Sequence, residues 1–136
     1  PTPLLHHRGP KAMLINGLSS SGGDALPYYF RKLGLGKLFG TRTWGGLIGI
    51  SGNPRLADNG IVLAATFSFM DTEGKWAVEN EGVAPDVEVI DRPEAIAAGR
   101  DPSLEAAVQH LLHELEARPP RAVVAPPAPT QFPPEA

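Results

Sequence analysis

The sequence predicts an α/β protein built on a β-α-β core, with further strands and a C-terminal amphipathic helix. Three observations carry that prediction. Ala12-Met13-Leu14-Ile15 is a short continuous apolar run, the pattern of a strand buried on both faces. A helix-like stretch, Ala25 to Leu35, follows directly, and Lys37 to Thr43 then reads as a second strand. A strand, a helix and a strand in that order form the unit that makes parallel sheets.

The remaining elements follow in chain order. Residues 1–11 are a polar lead-in holding Pro1, Pro3, Pro10, His6 and His7. Ser21 or Asp24 is placed to N-cap the first helix, whose apolar face is predicted to be Leu26, Tyr29, Phe30 and Leu33. Pro27 belongs in a first turn, which sets the helix start close to Asp24, and Gly34 and Gly36 end it. Trp44 to Gly52 is a glycine-rich apolar segment in which the backbone can be approached closely. Ile61–Ala65 and Thr66–Met70 are predicted as one or two strands and Trp76–Asn80 as another, with a turn at Asp71–Gly74. Pro85–Ile90 alternates as a half-exposed strand, and a short helix spans Pro93–Ala98. Asp101 caps a last helix with Pro102 at its first position, and Leu104, Ala107, Val108, Leu111, Leu112 and Leu115 form its apolar stripe. The domain is therefore expected over residues 12–118. Residues 119–136 are a proline-rich tail with little surface to bury, expected to be extended or disordered.

Composition narrows the function classes. At 136 residues the chain fits one domain with a real core. A net charge of -3 argues against nucleic acid or an anionic membrane as the main partner. With no cysteine, thiolate catalysis, disulfides and Cys-based zinc sites are all excluded. No apolar run reaches the ~18–20 residues of a membrane span, and the start shows no signal-peptide pattern. The chain begins with Pro1, which fits a piece of a longer protein. A cytoplasmic location is expected.

The chemistry centres on Asn16-Gly17-Leu18-Ser19-Ser20-Ser21-Gly22-Gly23-Asp24, a Ser/Gly-rich turn between a buried strand and a helix. The helix N-terminus there offers unpaired N–H groups and the positive end of a dipole. One of its serines could be a nucleophile with an oxyanion held by neighbouring N–H groups, the turn could cradle phosphate, or it could be a capped helix start. Phosphate binding is disfavoured. The pattern is neither G-x-x-x-x-G-K-[ST] nor G-x-G-x-x-G, and no lysine stands at the helix start. Asp24 reads as a cap, and Glu79, after Trp76-Ala77-Val78, as an acid at the end of a strand. No histidine serves as a base for a serine here. His110 and His113 fall on the polar face of the last helix, and His6 and His7 lie at the far end of the first strand.

Asn16–Asp24, Pro27–Gly36, Gly40-Thr41-Arg42-Thr43-Trp44-Gly45-Gly46 and Val78–Asp86 together resemble the C-terminal half of the catalytic domain of tricorn-type serine peptidases, in the tail-specific protease superfamily. The resemblance covers roughly residues 10 to 118. It implies a ClpP/crotonase-like spiral core, incomplete in this chain. It places the nucleophile at Ser21, an oxyanion-hole backbone N–H at Gly22, where the family usually has aspartate, and the catalytic glutamate at Glu79. The family's histidine, its accompanying serine and the other oxyanion glycine would come from an upstream segment this chain does not contain. A peptide is the implied substrate, with Trp44, Gly45 and Gly46 bordering its cleft, and no cofactor or metal is expected. The remainder of the catalytic domain or another copy of the chain is the expected partner, a homo-oligomer is expected, and the chain alone is expected to have little or no activity. Two other readings stay open: a non-catalytic structural or interaction domain that keeps the fold, and a crotonase-type enzyme acting on a thioester.

Overall fold

A computed structural model describes His7, residues 9–119 and Pro127. Three parallel strands form its centre: β1 (Ala12–Ile15), β2 (Lys37–Gly40) and β3 (Val87–Glu88), in the order β1-β2-β3. β1 and β2 pair from Ala12–Lys37 to Ile15–Gly40, and β2 pairs with β3 at Phe39–Val87 and Gly40–Glu88. Helix α1 (Gly22–Lys32) connects β1 to β2, as the β-α-β reading requires. Helices α2 (Pro93–Ala97) and α3 (Pro102–Ala117) follow β3.

Alternation along the strands distributes the core to two faces. Ile15 and Leu38 join Phe30 of α1, Leu47, Ala77, Val78 and Val83 in one buried cluster. Phe39, the neighbour of Leu38, instead meets α3 through His110, the ring centroids 5.3 Å apart. His110 is thus half-buried against the sheet and not on a solvated face, because the buried line of α3 runs through Ser103 and Ala107. Leu104, Val108 and Leu112 of the expected stripe are exposed.

Helix α1 differs from its expected form in start and facing. It begins at Gly22, so Pro27 stands in its second turn and not its first. There the proline removes one helical hydrogen bond, and full burial of its ring offsets the loss. The buried line is Asp24, Pro27 and Phe30, while Leu26, Tyr29 and Leu33 are exposed. At the other end Gly34 (φ 62) donates to the Arg31 carbonyl and Leu35 to that of Phe30, a Schellman close. Asp101 caps α3 through the Leu104 N–H at 2.9 Å, with Pro102 next to it, as expected.

Residues 48–76 depart most from expectation. The strands predicted at 61–65 and 66–70 are replaced by single antiparallel pairs, Gly49–Phe67, Arg55–Ile61 and Met70–Trp76. Every residue from 61 to 70 is exposed, so alternation there has no second layer to bury against. The turn at Asp71–Gly74 is present, with the Asp71 carboxylate accepting from the Glu73 and Lys75 N–H groups. The strand expected at 76–80 is a buried turn, because Val78 adopts φ 72. The proline-rich tail lies, apart from Pro119 and Pro127, outside the described residues. Among the described residues no helix is long and apolar enough to cross a membrane.

Candidate functional site

β1 ends at Ile15, and Asn16 turns the chain by accepting from the Leu18 and Ser19 N–H groups. The turn then delivers Ser21 to the N-cap of α1 with φ 54 and ψ -110. A residue carrying a Cβ rarely holds a positive φ without support. The support is Asp24, which is 0% exposed. Its Oδ2 accepts from the Ser21 N–H at 2.8 Å and the Gly46 N–H at 3.1 Å, and its Oδ1 accepts from the Gly45 N–H at 2.8 Å. Asp24 is therefore a cross-link between two loops. The Ser-x-x-Asp spacing, that of a capping box, was the available signal for it; its burial was not legible.

Next to this turn, the Gly22 N–H has no hydrogen-bond acceptor among the described residues. It is the outward-facing kind of donor that a helix N-terminus leaves over. A Cβ built at Gly22 meets nothing within 4 Å, so the site would accommodate the aspartate usual in the resembling family.

Glu79 is set by a second strained turn. Val78 is 6% exposed and has φ 72, an outlier for a buried β-branched residue. The Glu79 N–H reaches back to the Ala77 carbonyl at 2.8 Å, closing a γ-turn. The Val78 carbonyl accepts from the Glu81 and Gly82 N–H groups. Thr43 braces the same turn, its Oγ1 accepting from the Val83 N–H at 2.7 Å. Gly82 (φ 66) is required here, since a Cβ would come within 2.3 Å of the Thr43 carbonyl oxygen. Glu79 Oε2 accepts from the Leu47 N–H at 2.7 Å and the Ile48 N–H at 2.8 Å. Its side chain also lines a cavity of about 200 Å³ with Ile48, Ser68, Trp76 and Asn80.

Both candidate residues thus grip one segment. The Gly46 carbonyl accepts from the Ser21 N–H at 3.1 Å, and the N–H of the same peptide unit, on Leu47, donates to Glu79 at 2.7 Å. Across one planar peptide, this limits the Ser21 nitrogen and the Glu79 oxygen to about 8 Å apart. Gly45 and Gly46 are the joint between the two. Their N–H groups are held by Asp24, which leaves neither for an extended peptide, while the Trp44 indole is exposed over Gly46. His110 lies against Phe39, and among the described residues no histidine bonds to Ser21 or Glu79. Also among the described residues, no cluster of His, Asp and Glu could hold a metal ion.

Two strained turns thus hold one shared loop, and residues 3–89 match the family model of Peptidase family S41; the chain belongs to that family. It is 41% identical over 115 residues to the tricorn protease of Thermoplasma acidophilum, covering 85% of this chain and 11% of that protein. It is 44% identical over 112 residues to tricorn protease homolog 1 of Streptomyces coelicolor, covering 82% and 10%. The fold matches the crystal structure of the tricorn protease with a TM-score of 0.76 at 41% identity, over 80% of this chain and 11% of that one. The chain spans about a tenth of the length of these relatives.

Proposed function

We propose that this chain carries the nucleophile half of a serine peptidase site, set in a ClpP/crotonase-like core. Ser21 attacks the peptide carbonyl, forming the bond from its Oγ to the carbonyl carbon. A histidine supplied from outside this chain takes the Ser21 proton and later passes it to the leaving amine. The Gly22 N–H stabilises the oxyanion, and Glu79 supports the charged histidine. The observation that carries this reading is the single Gly46–Leu47 peptide unit bonded to Ser21 on one side and to Glu79 on the other. That shared anchor keeps the Ser21 backbone and the Glu79 carboxylate on one loop.

The histidine-bearing partner, either the rest of the catalytic domain or another copy of the chain, would cover apolar surface that is open here. Leu18 in the turn and Leu26 and Leu33 along α1 are exposed, and β1 has no strand on its outer edge among the described residues. Trp44 borders the peptide cleft in this reading.

A fluorophosphonate probe tests the proposal in the active assembly. Labelling should map to Ser21 and vanish in Ser21→Ala, together with peptide hydrolysis. Label on another residue would refute it. A second reading, an interaction domain that keeps the fold without turnover, draws support from Glu79, whose Oε2 is already held by two amides. Absence of any label in the complete assembly would favour that reading.

A further inference from the structure

The buried carboxylate under the serine turn has no counterpart in the reaction as proposed above. Asp24 is fully buried and forms no ion pair among the described residues. A buried carboxylate without a cation is costly unless donors surround it. Asp24 has three, and all are main-chain N–H groups of the two loops that build the site: Ser21, Gly45 and Gly46. It also sits at the third position of α1, where the helix dipole favours negative charge.

The pattern of these bonds determines what each amide in the turn is free to do. The Ser21 N–H is shared between Asp24 and the Gly46 carbonyl, and the Gly23, Asp24 and Ala25 N–H groups turn back onto the Ser20 and Ser21 carbonyls. The Gly45 and Gly46 N–H groups, which could otherwise face a substrate, point into the Asp24 carboxylate. Gly22 is the one amide from 21 to 25 without an acceptor among the described residues. The same carboxylate holds Ser21 at its positive φ and keeps the Gly46–Leu47 peptide unit in contact with Glu79.

We propose that Asp24 is a positioning residue for the peptidase reaction. It fixes the Ser21 backbone and reserves the Gly22 N–H as the oxyanion donor, without itself touching substrate. This rests on the peptidase reading above. Glutamate at this position would add a methylene to a filled site. Asparagine keeps the size but turns an amide NH₂ toward at least one of the three N–H donors, so the clamp cannot be reproduced.

The test uses the complete active assembly, comparing Asp24→Asn, Ser103→Ala and Ser21→Ala for peptide hydrolysis, fluorophosphonate labelling rate and thermal unfolding. Ser103→Ala removes a buried hydroxyl of α3 that donates to Asp91 and makes no bond to either loop of the site. Asp24→Asn should lower kcat about 10²–10³-fold, the scale of losing an oxyanion donor, with KM changed less than about threefold. Ser21 labelling should slow in parallel. Ser103→Ala should lower the unfolding temperature yet keep kcat within about threefold. If Asp24→Asn keeps kcat within threefold while Ser21→Ala is inactive, the positioning role is wrong and the peptidase reading stands. If Ser103→Ala loses as much kcat as Asp24→Asn, the carboxylate is structural only and the proposal fails. If Ser21→Ala retains full hydrolysis, the peptidase reading itself falls and the positioning role with it.

Discussion

Residues 12–47 and residues 48–76 are built from similarly apolar sequence and reach opposite outcomes. The first stretch contributes two strands, a helix and the buried side chains Ile15, Phe30, Leu38, Phe39 and Leu47. The second contains Ile61, Val62, Leu63, Phe67, Phe69 and Met70, yet no residue in it is buried. Hydrophobicity alone does not decide the outcome. In the first stretch, each apolar side chain has a neighbouring layer within the chain, because β1, α1 and β2 stack locally. In the second, single antiparallel pairs hold the loop, and the layer that would cover it is not among the described residues. The two meet at Glu79, whose carboxylate fastens the start of the arm to the turn after Val78.

That junction gives the largest expected effect. Glu79→Gln can keep an oxygen on the Leu47 and Ile48 N–H groups while removing the charge. In the active assembly it should lower kcat by up to about 10⁴-fold, the scale on which neutralising the carboxylate of a catalytic triad acts. Glu79→Ala should do the same and also release the arm, so the Leu47 and Ile48 amides exchange faster in the alanine variant alone. Equal exchange in both variants would show that the two regions are not joined through this side chain.

A smaller effect separates core from arm by stability. Leu38 is 0% exposed and Leu63 is 67% exposed. Leu38→Ala should cost about 2–5 kcal/mol in denaturant unfolding, the range for an emptied core site. Leu63→Ala should fall within about 0.5 kcal/mol, as surface changes do. Comparable losses would mean that the arm is covered in solution.

The smallest effect is confined to the arm. The Asp71 carboxylate is held below the ordinary range, chiefly by the Lys75 N–H, with the Glu73 N–H and the Lys32 and Lys75 charges adding to it. A depressed pKa in the folded state stabilises the turn above the ordinary aspartate value, and that contribution fades as pH falls through the depressed one. Proton chemical shifts of the Glu73 and Lys75 amides should therefore change only at pH below the usual carboxylate midpoint. A midpoint at or above it would contradict the bonding described.

Much of the core and part of the candidate site were legible in the sequence, for reasons visible in particular residues. The apolar run Ala12–Ile15, the Gly34 stop and the Asp101-Pro102 start depend on local chemistry, and each appears where expected. The strands expected at 61–70 depend on a partner layer, which local alternation does not report. The strand expected over 76–80 fails at Val78, whose positive φ is imposed by Thr43, Gly45 and Gly82 closing around it. His110 was placed on the wrong face because α3 turns Ser103 and Ala107 inward, a choice set by Phe39 and by the Asp91 carboxylate that accepts from Ser103. Asp24 was recognised as a cap, whereas its grip on Gly45 and Gly46 is a tertiary contact with no sequence signature.

The central claim is that Ser21 and Glu79 belong to one site, and a double-mutant cycle on peptide hydrolysis tests it most directly. Kinetics would be measured for Ser21→Ala, Glu79→Gln and the pair in the complete assembly. Groups that act as a unit are strongly non-additive, so the double variant should be no slower than the slower single one. Losses that multiply in the double variant would show two independent contributions and contradict a shared site.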